Sequence, residues 1–389
     1  MEALEEIIGE ETFQGLPGAL VDEMIKSAEG LGPKVLEDLE ALKALKERAR
    51  ESLKEKNIIR RFVELPQCNP PTTCGVDGAY GIEKMLGYDL VVCTGLAVEG
   101  LTPPNESGEW SEPHFEPFMS LERHRDENTV LARALMMCFE LQEAIKAPHN
   151  IVFIDGSLST PIIYLNQGLS RLGPPDVQEG KLRSALRNRS SAAVEHYSQI
   201  LTLQRGDHIF VGVPKYTTRN EIGSALEIQE FDDKALITLM LEPGEFIRPL
   251  VMSQPEESGW SGWHLNREYL DSEVKEAAAE VEQALSKLHI TYYRPTPYTP
   301  ALRLEFPEYV ALNDSRLGQI LRAISDQSAI PGLIEPYPLF YADRMAKSIG
   351  VSIPAIRQIL TSQSVEDYSG KPEDVFFALH GYRTEKGAP

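Results

Sequence analysis

The sequence predicts an α/β fold: a mixed β-sheet flanked by helices, with an N-terminal helical arm and C-terminal helices. Three observations carry this reading. The run IVFI (151–154) is uniformly apolar, like a strand buried on both faces, and it stops at Asp155 and Gly156. The segment YDLVVCTGLAVEG (88–100) has the composition of a strand. Between them, Leu131, Ala134, Leu135, Cys138, Leu141 and Ile145 share one face of a helix that Asp126 can cap and that runs to about Ala147.

The remaining elements follow in chain order. Val35, Leu39, Leu42, Leu45, Ala49 and Leu53 recur at helical spacing, so residues 35–56 form an amphipathic helix suited to a bundle or a dimerisation arm. A Pro-rich connector, ELPQCNPPTTCG (64–75), then leads into the main domain. CGVDGAYG (74–81) contains a first strand that ends at Asp77 and Gly78, and HFEPFMSLER holds a further short strand. Residues 159–205 are helical, broken by RLGPPDVQEG; HIFVGVPK (208–215) is a strand that ends on Lys215. ALITLML (235–241) and LRLEFP (302–307) are strand candidates around a loop with two tryptophans, and 272–288 is an acidic helix. The chain divides into an arm (1–63), a main domain (64–384) and a frayed tail (385–389).

Composition narrows the function. Of 389 residues, 42% are hydrophobic and 25% charged, an ordinary globular balance. No apolar run reaches about 18 residues, and the acidic start MEALEEIIGEETF lacks a basic n-region. Four cysteines without zinc-finger spacing point to a reducing, cytoplasmic setting. The net charge of −21 opposes non-specific coating of nucleic acid. Any contact with DNA must use a local basic surface or a partner.

The acids carry the chemistry. Asp77 and Asp155 each follow a strand and precede a glycine, and two close carboxylates repel unless a cation joins them. Oxygen ligands of this kind suit manganese or magnesium. Glu140 lies among Met136, Met137 and Ala144 on a second apolar strip of its helix, where a carboxylate needs a partner. Glu143, nearer the polar side, is the competing third ligand. A lone Asp-Gly after an apolar run is more often a plain turn; two, with a glutamate between them, favour a metal site.

Strand–Asp, helix–Glu, strand–Asp and a late acidic helix is the order of ribonuclease H-like nucleases. More specifically, GVDGAYG, FELQEAIKAPHNIVFIDGSL, FVGVPKYTTRNE, LRLEFP and YPLFYADRMAKS together resemble the NurA nuclease family, whose members work with the HerA hexameric translocase. The resemblance spans roughly residues 70–350 and makes 64–384 a NurA-like domain. It implies manganese- (or magnesium-) dependent cleavage of DNA, in end processing or antiphage defence, with Asp77, Glu140 and Asp155 as catalytic metal ligands. It also implies a role for Tyr337 in the C-terminal motif and for Lys215 at the scissile phosphate. Asp343 stands where the family commonly has histidine; aspartate can ligate the same cation but cannot be a cationic proton donor. The arm and the mismatch between an acidic chain and a polyanionic substrate suggest a homodimer docked on a HerA-like ATPase.

Other readings are weaker. AKSIGVSIPAIRQIL (346–360) has a helix-turn-helix outline but few bases, and reads as ordinary helical packing. The eight histidines form no HExxH pair, no GxxxxGK[ST] is present, and Ser157 lacks a nucleophile elbow. An actin/hexokinase-like phosphotransferase shares paired Asp-Gly turns, but its Gly-rich adenosine motif is matched only poorly by SIGVS. A degenerate, non-catalytic adaptor of a translocase fits the Asp343 departure and the acidity.

Overall fold

The computed structural model describes residues 15–104, 106–174, 179–203, 207–216, 220–226, 232–253 and 262–387. The chain divides into two units, Met1–Lys56 and Asn57–Pro389. The first is built on one helix, α1 (Gly18–Glu55), which starts well before the stretch whose periodicity predicts it. Pro33 lies inside it and removes one main-chain hydrogen bond without ending the helix. Leu20, Met24, Leu31, Val35 and Leu39 are exposed along it.

The second unit is organised by a sheet of eleven strands among the described residues. They are β1 (Ile59–Arg61), β2 (Thr73–Met85), β3 (Asp89–Glu99), β4 (His114–Glu122), β5 (Ile151–Asp155), β6 (Ile209–Val213), β7 (Glu245–Ile247), β8 (Leu250–Val251), β9 (His289–Arg294), β10 (Leu302–Phe306) and β11 (Gly381–Gly387). The order is β1-β7-β9-β10-β6-β5-β2-β3-β4, with β8 on β9 and β11 on β2. Only β2–β5 and β5–β6 pair in parallel. Residues 57–63, grouped with the arm by sequence, thus enter the sheet through β1, and backbone pairing continues to Gly387 where the sequence suggests fraying.

Helix α2 (Asn128–Lys146) lies on one face of β2 and β3, beneath α3 (Thr160–Leu169) and α4 (Lys181–Thr202), with α7 (Lys275–Leu285) outside α4. Being covered on both sides, α2 buries residues around most of its circumference, as its apolar strips predict. Helix α9 (Asp314–Gln327) and the long α10 (Tyr337–Asp367) cover the opposite face. Phe153, Val211, Leu304, Phe306, Leu321 and Leu339 form the core there. Each such side chain stabilises the fold by about 1.5–3 kcal/mol. A Cβ at Gly75 would stand 2.4 Å from the main-chain carbon of Pro338, so α10 can cross β2 this closely only over glycine.

Several expectations are corrected. ALITLML is not a strand but lies mainly in α6 (Asp233–Met240), whose Asp232 cap accepts a hydrogen bond from the Ala235 amide at 2.9 Å. Its buried residues Leu236, Ile237 and Met240 follow helical spacing. Asp126 does not cap α2; the N-cap position is Glu127, without a side-chain bond. No turn interrupts 346–360, because α10 runs straight through Gly350 and Pro354 and buries Ile353. The remaining helices are α5 (Glu221–Ala225), α8 (Glu308–Ala311) and α11 (Pro372–Ala378). Residues 254–261 of the tryptophan loop and 175–178 of the RLGPPDVQEG break lie outside the described residues. No described helix is long and apolar enough to cross a membrane.

Candidate metal centre

Strands β2 and β5 run parallel, with Val76 opposite Ile154. The next residue on each is an aspartate, so Asp77 and Asp155 stand side by side on the face covered by α10. That helix adds Asp343 from its second turn. One carboxylate oxygen from each of the three lies within 4.8 Å of the others. Lys215, just past β6, directs its ammonium at the group. It lies 2.5 Å from Asp343 Oδ1, 2.9 Å from Asp155 Oδ2 and 3.5 Å from Glu335 Oε2. Lys347, one turn beyond Asp343, stands 2.8 Å from its other oxygen.

The two Asp-Gly pairs differ from each other. Gly156 has φ +88°, a left-handed conformation that lets the chain turn away from Asp155, as the sequence suggests. Asp77 does not end its strand: β2 continues to Met85, and only its pairing with β5 stops at Val76. Gly78 is therefore no turn. Its missing Cβ would lie 2.8 Å from Met136 Cγ and 3.1 Å from Glu140 Oε2. That side of Gly78 is taken by α2.

Glu140 accordingly approaches from the other face of the sheet, against Gly78, and is not among the three converging carboxylates. It remains within their field. Burial first, then Asp77 and Asp155, raise its carboxyl well above the usual range. Glu143 is not solvated as its helical phase suggests; it is buried and paired with Lys146 at 2.8 Å. Tyr337 opens α10 and stacks on Tyr341, with ring centroids 6.0 Å apart.

Electrostatics separate the three aspartates. Burial and the charge of Asp155 push Asp77 well above the ordinary carboxylate range, against the pull of Lys215. Asp77 accepts a 2.7 Å bond from the Gly78 amide. Burial also raises Asp155, although Lys215 opposes it. For Asp343 burial acts upward too, but hydrogen bonds from Lys215 and Lys347 win and its carboxyl titrates low. Burial alone would lower Lys215; Asp155, Asp343 and Glu335 outweigh it and hold the lysine charged.

A second polar cluster fixes the turn after Asp155. Glu305 Oε2 accepts from Ser157 Oγ at 2.6 Å and from the Leu158 amide at 3.1 Å. Its other oxygen takes Arg303 Nε at 2.9 Å. Arg303, fully buried, also forks onto both oxygens of Glu221 at 3.0 and 3.1 Å and reaches the Tyr292 hydroxyl at 3.0 Å. Ser157 is thus a turn residue, not a nucleophile. Sequence reasoning missed Glu335, Lys347, Arg303 and Glu305. Two signals were available: Lys347 sits at i+4 from Asp343, and Arg303 and Glu305 alternate on one face of an otherwise apolar strand.

A profile of the NurA domain family matches residues 71–348. The chain belongs to the NurA family. The matched span runs from the start of β2 into α10 and includes every residue of the centre. The NurA nuclease from Sulfolobus solfataricus has the same fold, with a TM-score of 0.57 at 14% identity over 92% of this chain and 100% of that one. A NurA bound to dAMP and manganese aligns with a TM-score of 0.50 at 12% identity, over 89% and 99% of the two chains. No curated protein sequence matches. In this NurA-family chain the donor set is all oxygen, buried and mutually repulsive, which fits a hard divalent cation.

Proposed function

We propose that the chain is a divalent-metal-dependent DNA nuclease that hydrolyses phosphodiester bonds with manganese or magnesium. The observation that carries this reading is the convergence of Asp77, Asp155 and Asp343 within 4.8 Å of one another, with Lys215 beside them. These three aspartates would hold the ion, and Glu140, electrostatically coupled to two of them, would complete the set. A bound divalent ion supplies charge to the phosphate and acidifies a water. Lys215 binds the scissile phosphate and offsets charge on its oxygens. The Arg303–Glu305 pair holds the Asp155 turn so that the carboxylate keeps its direction. Asp343, held ionised by two lysines, orients Lys215 and donates no proton.

The net charge of −21 and the exposed apolar positions of α1 support a working form in which two copies join and a HerA-like ATPase delivers the DNA. One observation favours a non-catalytic adaptor: Lys215 pairs with two of the three aspartates and offsets part of their charge. Labelled linear and circular DNA, incubated with manganese or magnesium and with or without such an ATPase, decides between them. The nuclease reading expects cleavage that falls about a thousandfold or more in Asp155→Ala, on the scale of losing one main electrostatic contributor. Equal cleavage by the two proteins, or none by the wild type under any condition, rejects it.

A further inference from the structure

Three carboxylates hold Lys215, and a metal ion would compete with it for two of them. Its ammonium lies 2.5 Å from Asp343 Oδ1 and 2.9 Å from Asp155 Oδ2, both in the converging aspartate set. The other Asp343 oxygen is already met by Lys347 at 2.8 Å. A divalent ion and the lysine thus seek the same oxygens, and two cations drawn to one carboxylate repel each other. The third carboxylate, Glu335, lies outside the aspartate set. It immediately precedes Pro336, the N-cap of α10. Its Oε2 is buried, accepts no hydrogen bond among the described residues and stands 3.5 Å from the lysine. A buried carboxylate oxygen in that condition is costly until a donor meets it fully.

Lys215 can change partners without moving its main chain. Val213 pairs with Asp155 across β5 and β6, and the Lys234 ammonium donates to the Lys215 carbonyl at 2.6 Å. Beyond that fixed backbone runs a flexible four-carbon stem, whose ammonium can turn from one acceptor to the next.

We infer that Glu335 is a positioning residue, which takes over Lys215 when a divalent ion takes Asp155 and Asp343. The exchange frees the aspartate oxygens and keeps the ammonium beside the centre. An ammonium has three N–H donors, so one bond to Glu335 leaves the others for the scissile phosphate. For that last step the inference rests on the nuclease reading above; the exchange itself concerns metal binding alone. Glu335 acts only through the lysine.

The test is a double-mutant cycle read by calorimetric titration of manganese into the full-length protein. It compares wild type, Glu335→Gln, Lys215→Met and the double variant. In Glu335→Gln the lysine keeps its hold on the aspartates, and manganese is expected to bind about tenfold more weakly. In Lys215→Met nothing has to be displaced, so manganese binds more tightly than to the wild type. Adding Glu335→Gln to that variant should then change the affinity by less than about twofold, the coupling expected of residues in contact. An equal loss in both backgrounds means that Glu335 acts by its charge alone and overturns the inference. No loss in either background overturns it too. Metal-free melting shows that each variant is folded; if Lys215→Met is not, Lys215→Gln replaces it in the cycle. Cleavage of labelled DNA in manganese is measured in parallel. Coupled affinities without cleavage in any metal keep the exchange and remove the nuclease. Cleavage that is lost in Asp155→Ala, with uncoupled affinities, keeps the nuclease and removes the exchange. A wild type that binds no manganese removes both.

Discussion

Two buried polar clusters lie one turn apart, and they are built on opposite principles. Around Arg303 each carboxylate is met: Glu305 by the arginine, Ser157 and the Leu158 amide, Glu221 by the arginine fork. Burial works against Glu221, yet its bonds with Arg303 bring its carboxyl below the ordinary value. Around Asp77 and Glu140 the balance is reversed. Burial and neighbouring carboxylates raise both, and the bonds available to them do not compensate. A buried acid that is met stabilises the scaffold; one that is left wanting positive charge marks where a cation goes. Sequence alone shows both as acids in apolar surroundings. Only their partners tell them apart.

Removing the arginine is the strongest way to break this contrast. Arg303→Ala strands Glu221 and Glu305 without their cation and is expected to cost about 3–5 kcal/mol, the range for breaking a buried pair. Urea unfolding without metal measures it. A loss well under 1 kcal/mol would mean the cluster is solvated and the comparison fails.

The opposite outcome is expected on the other side. Glu140→Gln should retain or gain metal-free stability, since it removes a buried charge repelled by Asp77 and Asp155. It should lose manganese-induced thermal stabilisation and cleavage together. Glu143→Gln breaks a half-exposed lysine's pairing with a buried acid and should cost about 1 kcal/mol without touching the manganese response. If the manganese shift survives in Glu140→Gln and vanishes in Glu143→Gln, the glutamate that joins the three aspartates is Glu143 and not Glu140.

The smallest effect concerns pH. Asp77 and Glu140 titrate higher folded than unfolded, so what they contribute to metal-free stability is present at low pH and lost as pH rises through their folded values. Asp343, titrating low, contributes in the other sense: its share is present above the ordinary carboxylate range and lost as pH falls through its folded value. If Asp77 and Glu140 hold manganese they must be ionised, so its thermal stabilisation should grow as pH rises from the ordinary carboxylate range through their folded values and proton competition fades. A manganese shift constant across that window would show that these carboxyls are already ionised at its acid end.

Much of the frame was legible because it rests on local pattern. IVFID, the buried α2 and the strand before Lys215 declare themselves by periodicity, and Asp343 was found by its motif. What escaped depends on contacts between distant segments. ALITLML has an apolar run that suits a strand, but a capping Asp232 and burial at helical spacing make it α6. Gly78 looked like a turn because its true reason, the approach of Met136 and Glu140, lies some sixty residues away. Glu335 gains meaning only when Lys215 arrives beside it.

The pairing of β11 with β2 bears on how the protein is made. Gly381 faces Met85 and Gly387 faces Tyr80, so the strand that carries Asp77 has one flank completed by residues synthesised long after it. Asp343 also emerges late, on the helix that crosses the same strand. A growing chain on the ribosome therefore holds Asp77 and Asp155 early but lacks Asp343 and leaves Tyr80–Met85 as an open edge. Pairing across so long a stretch is slow to form, and an unpaired edge is open to other chains meanwhile. Assembly of the Asp77, Asp155 and Asp343 cluster is in this way tied to the synthesis of α10, which carries the last of the three.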